Sequence, residues 1–209
     1  MEDCVPYRSQ EGEAMGWQSE EFGSYHEGRA GAVLADGSEP KPVYLDAGSG
    51  GGPPPTSDWR VYDGRFGAPK AAALRGSCSC GWRGTPRYPI DWPQVIDDGH
   101  SMDTSGPRGD WEQHISEVRA RSVPLPVGLE ELLERVEEHL DALAVEAPVA
   151  ALKAVAALER ITGRIGHRAA HHAQADEQAG ELSWEAIGTA LGLSEADARS
   201  RLIRYSFRR

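Results

Sequence analysis

Cysteine is scarce in this 209-residue chain, which has three. Cys78 and Cys80 lie too close together for an ordinary structural disulfide, and Cys4 stands in a polar leading stretch, so an oxidised disulfide framework is not expected. Long apolar runs are lacking as well: none approaches the ~20 residues needed to cross a bilayer. The opening MEDCVPYRSQEGE is acidic where a secretory signal would be basic and then apolar, so the expected location is the cytoplasm, with no membrane partner. A surplus of positive charge is also missing. The formal net charge is -11, so any affinity for nucleic acid has to be local, because the bulk of the chain repels phosphate.

Glycine and proline, by contrast, are plentiful at 24 and 14 residues. They crowd into the first 128 positions, and the remainder is rich in Ala, Leu and Glu. The break near RSVPLPVG implies two halves of different fold class. From Ala150 onward nine Arg or Lys stand against seven Asp or Glu, leaving 13 against 26 for the rest. The expected fold is α+β. A flexible acidic tail (1–24) precedes a small β-rich domain (25–124) that carries the CSCGW segment and a short helix. An antiparallel helical hairpin (127–178) and a helix-turn-helix (181–209) follow.

Within the first half, GAVLADGSEPKPVYLD reads as a hairpin about Asp36-Gly37, its second strand restricted by Pro40 and Pro42. AAALRGSCSCGWRGTPRYPI reads as strand, tight turn and strand with both cysteines at the bend. Asp110, three residues before Gln113, has capping-box spacing and predicts a helix from Trp111 to about Ser122. In the second half, Leu129, Leu132, Leu133, Val136, Leu140 and Leu143 form one apolar stripe with carboxylates opposite. After Pro148, the series Leu152, Val155, Leu158, Ile161, Ile165 and Ala169 forms a second. The two stripes are expected to cover one another or to supply the interface of a homodimer.

CSCGWRG raises a chemical question. Thiolates two residues apart on a bend can reach one metal ion, and Zn²⁺ then wants two more ligands to complete a tetrahedron. His114, in the first turn of the predicted helix, is the candidate third ligand and His100 the fourth. Zinc in this role is structural, holding together a region with little apolar mass; a pair of reduced structural cysteines is the other reading. His167 and His171 share a helix face four residues apart, where exposed or interfacial histidines are the plainer account. No nucleophile with a partnered base stands at an identifiable spacing, so catalysis is not expected.

LSWEAIGTALGLSEADARSRLIRYSF divides into two short helices about Gly192. Ser183 and Ser194 are N-caps, Ile187 and Leu191 face inward from the first helix, and Ala198, Leu202 and Tyr205 face inward from the second. IGTALGLS followed by ARSRLIRY resembles the promoter-recognising C-terminal helix-turn-helix of extracytoplasmic-function-type sigma factors over about 25 residues. No counterpart of those factors' polymerase-binding region is apparent. More loosely, the whole chain resembles uncharacterised actinobacterial proteins that pair a CxCGW segment with such a motif. The resemblance implies a transcription regulator that binds double-stranded DNA. Ser183 and Trp184 would then lie near phosphates, Glu195, Arg199 and Ser200 would face base edges in the major groove, and Arg201, Arg204, Arg208 and Arg209 would neutralise phosphates. Glu195 and Asp197 depart from the neutral residues of the pattern. The alternative is an acidic adaptor that binds RNA polymerase or another regulator through the same helices.

Overall fold

A computed structural model describes residues 16–44, 55–98 and 101–207. The chain divides into two compact units, 1–116 and 117–209, and the fold is α+β.

The first unit is built on a four-stranded antiparallel sheet in chain order: β1 (Trp17–Ser19), β2 (Gly23–Val33), β3 (Ala73–Cys78) and β4 (Tyr88–Pro89). Strand structure therefore begins at Trp17, inside the stretch expected to be a tail. The hairpin expected about Asp36-Gly37 does not form. Leu34 N–H donates to the Ser38 carbonyl across a turn, but beyond Pro40 and Pro42 only an isolated bridge from Val43 to Thr56 is made. Prolines lack the N–H that a ladder needs, so β2 turns instead to β3, in a register that pairs Gly28 with Cys78 and Val33 with Ala73.

One face of the sheet carries the core, where Ala32, Trp59, Tyr62, Leu74, Trp92 and Val95 are buried together. Trp92, at the start of α1 (Trp92–Asp97), buries its ring and satisfies its indole N–H on the Ala71 carbonyl at 2.7 Å. The next helix, α2 (Ser105–Arg121), starts six residues before the sequence pattern predicts. Asp103 accepts hydrogen bonds from the backbone N–H and the hydroxyl of Ser105. Pro107 is tolerated in the first turn, whose N–H groups have no helical partner. Asp110 is thus no cap; its carboxylate accepts from the Tyr88 hydroxyl at 3.0 Å and ties α2 to β4.

The second unit is helical: α3 (Val127–Glu146), α4 (Pro148–Gln178), α5 (Trp184–Ala190) and α6 (Glu195–Phe207). Ala147 alone links α3 to α4, and the two helices pack on one another. The C-terminal part of α4 combines with α5 and α6 in a three-helix core of Ala170, Ile187, Ala198 and Leu202, flanked by Trp184, Leu193 and Tyr205. Leu191, expected to face inward, is instead partly exposed at the end of α5, and Leu193 fills the corner. Among the described residues no helix is long and apolar enough to cross a membrane.

Candidate metal centre and helix-turn-helix face

In the first unit, sheet register brings the candidate ligands together. Cys78 pairs with Gly28, and directly paired residues project to the same face; His26, two residues from Gly28, shares that face through the pleat. Here Trp111 of α2 lies directly on Gly28. A Cβ at Gly28 would come within 2.5 Å of its indole carbons, so only glycine admits this approach. His114, three residues on, occupies the same side of α2 and reaches the same spot. Cys80 completes the group from the turn after β3, closed by the Gly81 N–H on the Cys78 carbonyl at 3.0 Å.

The side chains of His26, Cys78, Cys80 and His114 thus form a group fit to hold a metal ion, their ligating atoms all within 4.8 Å of one another. Cys78 Sγ lies 3.5 Å from His26 Nδ1, and Cys80 Sγ lies 3.4 Å from His114 Nε2. His26, Cys78 and His114 are buried and Cys80 half-buried. The hydrogen bond with Cys80 draws the Cys78 thiol far below the ordinary thiol range, against the effect of burial and with help from His26. That contact and burial push the Cys80 thiol up.

The surroundings fix each ligand. Ser79, between the cysteines, turns away from the cluster and stitches the turn to β2: its hydroxyl donates to the Ser24 carbonyl at 3.0 Å and accepts from the Glu27 N–H at 2.9 Å. These contacts bracket His26. Arg83 donates to the Cys78 carbonyl at 3.0 Å and is held from behind by Glu39.

Of the metal ligands read from the sequence, Cys78, Cys80 and His114 converge. His100 lies outside the described residues, as do Cys4, Arg208 and Arg209. Sequence reasoning missed His26, whose only local signal is the strand alternation from Ser24 to Ala30. Among the described residues, His167 and His171 join no such group.

In the second unit, the expected helix-turn-helix is formed. Ser183 caps α5 by accepting from the Ala186 N–H at 3.1 Å. The turn passes through Gly192 at φ 64°, a conformation most side chains resist. Ser194 accepts from the Asp197 N–H at 3.1 Å while its hydroxyl donates to the Asp197 carboxylate at 2.6 Å. Asp197 is therefore absorbed by the helix start, where a carboxylate also favours the positive helix end. Glu195 pairs with Arg199 at 2.8 Å, and the Arg199 guanidinium lies over the Trp184 ring at 5.2 Å. Trp184 thus flanks the core and is a platform for Arg199. The exposed residues of α6 include Arg199, Ser200, Ile203, Arg204 and Phe207, at the spacing of one outward face. Arg201 is half-buried, with its guanidinium 5.9 Å from the Tyr205 ring.

No family model, no curated protein and no solved structure matches this chain.

Proposed function

We propose that the protein is a cytoplasmic DNA-binding transcription regulator. Its C-terminal helix-turn-helix would read the major groove, and its N-terminal module would be closed by a structural zinc ion. The observation that carries the DNA reading is the division of labour in α6. Ala198 and Leu202 are buried against α4 and α5, while Arg199, Ser200 and Arg204 stand on the opposite, exposed face. That is the arrangement in which a recognition helix presents its N-terminal residues to base edges and its cations to phosphates. Asp197 keeps its negative charge, but its carboxylate is turned to the Ser194 cap and serves the helix start. The Glu195 carboxylate orients Arg199, and can exchange that partner for a cytosine amine.

The test is a genome-wide occupancy map of the protein beside an Arg199→Ala, Arg201→Ala, Arg204→Ala variant. Discrete sites that the variant loses are the expected result. A wild type without discrete sites, or a variant that keeps them all, ends the proposal. Exposed Ile203 and Phe207 on the same face favour a second reading, a protein-binding adaptor. Binding to RNA polymerase that persists at high salt and ignores DNA sequence would select it.

For the metal, the distances support zinc. Tetrahedral Zn²⁺ with Zn–S of about 2.3 Å and Zn–N of about 2.0–2.1 Å requires sulfur and nitrogen ligands roughly 3.5 Å apart, and the two Cys–His pairs stand at 3.5 and 3.4 Å. Four protein ligands, three of them buried, leave no open position for substrate, which supports a structural role for the ion. Metal analysis of the purified protein should return one zinc per chain, lost in Cys80→Ser. Cysteines that stay metal-free at full occupancy of the fold would establish them as plain reduced thiols.

A further inference from the structure

The hairpin of α3 and α4 leaves its apolar surface largely uncovered. All 20 residues of α3 lack burial, although its leucines recur at helical spacing. Packing on α4 half-covers Leu140 and Leu143, but Leu132 is 54% exposed, Leu133 52% and, on α4, Leu152 70%. Between the helices runs an open apolar groove of about 690 Å³, walled by Leu133, Val136, Leu140, Ala151, Leu152 and Val155. The half-exposed aliphatic side chains amount to several hundred Å², on the order of the patch size that marks an interaction surface.

We infer that this face binds a second copy of the same chain, the two hairpins closing into a four-helix bundle. Charge selects the occupant. Seven carboxylates and one arginine lie on α3, whereas α4 from Pro148 to Arg168 carries four cations and one carboxylate. Glu137 and Asp141 stand at the rim of the groove. On α4, Arg160 lies two turns along the row that begins at Leu152, and Lys153 is beside it. A partner of one charge sign would be attracted by one helix and repelled by the other. A second copy related by a two-fold axis sets α3 of each chain against α4 of the other and keeps the two acidic helices diagonally apart. The surface is therefore complementary to itself, as an isologous dimer requires. This inference goes beyond DNA binding and does not depend on it.

Sedimentation equilibrium of the full chain without DNA tests it, with a mass of twice 22.6 kDa expected at micromolar concentration. Leu133→Glu with Leu152→Glu, at exposed sites the fold does not need, should give a monomer with unchanged helical circular dichroism. Two charge reversals then probe the pairing: Glu130→Lys, Glu137→Lys, Asp141→Lys on α3, and Lys153→Glu, Arg160→Glu, Arg164→Glu on α4. Each alone should be monomeric, and an equimolar mixture should recover the dimer. A monomeric wild type, a dimer indifferent to Leu133→Glu with Leu152→Glu, or a mixture that fails to reassociate overturns the proposal. None of these outcomes bears on whether one helix-turn-helix contacts DNA, and loss of DNA sites in the α6 arginine variant leaves the dimer intact.

Discussion

The indole of Trp82 lies flat against the imidazole of His114, with ring centroids 4.5 Å apart and planes within 8°. His114 presents Nε2 to Cys80, so the stack fixes the plane in which that nitrogen points. Aromatic pairs of this kind contribute about 0.5–1.5 kcal/mol, and Trp82→Ala should weaken zinc binding by roughly two- to tenfold while leaving stoichiometry at one. Competition with a chromophoric chelator reads the affinity directly.

Ser79 touches no ligand atom, yet it joins the cysteine turn to the strand that carries His26. Groups that orient ligands from one shell out typically contribute about 10- to 100-fold in metal affinity. Ser79→Ala is expected to lose that much and Ser79→Thr to recover part of it. Equal affinities for wild type and Ser79→Ala would show that the Ser24 and Glu27 contacts play no part in orienting His26.

The fourth ligand discriminates between two histidines. His26→Ala should abolish stoichiometric zinc as completely as Cys80→Ser does, whereas His100→Ala should retain it. The reverse pattern would make His100 the fourth ligand.

Glu39 gives a pH signature. Burial pushes its carboxyl up, but hydrogen bonds and charge from Arg83 and Arg75 outweigh it and hold the group below the ordinary carboxylate range. A carboxylate depressed in the folded state contributes stability that is present above its unfolded value and is lost as pH falls through the folded one. Glu39→Gln should therefore lower Tm at neutral pH, and the difference should shrink through and below the ordinary carboxylate range. A difference constant across that window would mean that Glu39 acts by shape and not by charge.

Two helical glycines of α4 should respond oppositely to alanine. Gly163 has open space around it, whereas a Cβ at Gly166 would come within 2.7 Å of the Tyr205 ring of α6. Gly163→Ala should stabilise by up to about 1 kcal/mol. Gly166→Ala forces apart the helices that support the helix-turn-helix and should destabilise by about 1–3 kcal/mol. Denaturant midpoints of the two variants settle the comparison.

What could be read from the sequence follows the range of the interactions. The helix-turn-helix was legible because its caps and corner are local: Ser183, Gly192 and Ser194 act within a few residues of themselves. The stripes of α3 and α4 were legible for the same reason, but periodicity identifies an apolar face and does not choose between mutual covering and a second chain, and the structure leaves much of both stripes exposed. The start of α2 misled because Asp110 mimics a cap by spacing while it serves Tyr88 across the fold. Three members of the candidate metal group, Cys78, Cys80 and His114, could be named from the cysteine bend and the helix beside it. His26 could not, because its partner Cys78 is 52 residues away and the two meet only through the pairing of β2 with β3.

That pairing would make a bound metal ion a proofreader of the fold. A slip of one residue between β2 and β3 would turn His26 to the opposite side of the sheet and offer Tyr25 or Glu27 in its place. A complete ligand set exists only in the correct register, so an ion bound there would withdraw misaligned chains from competition as they form.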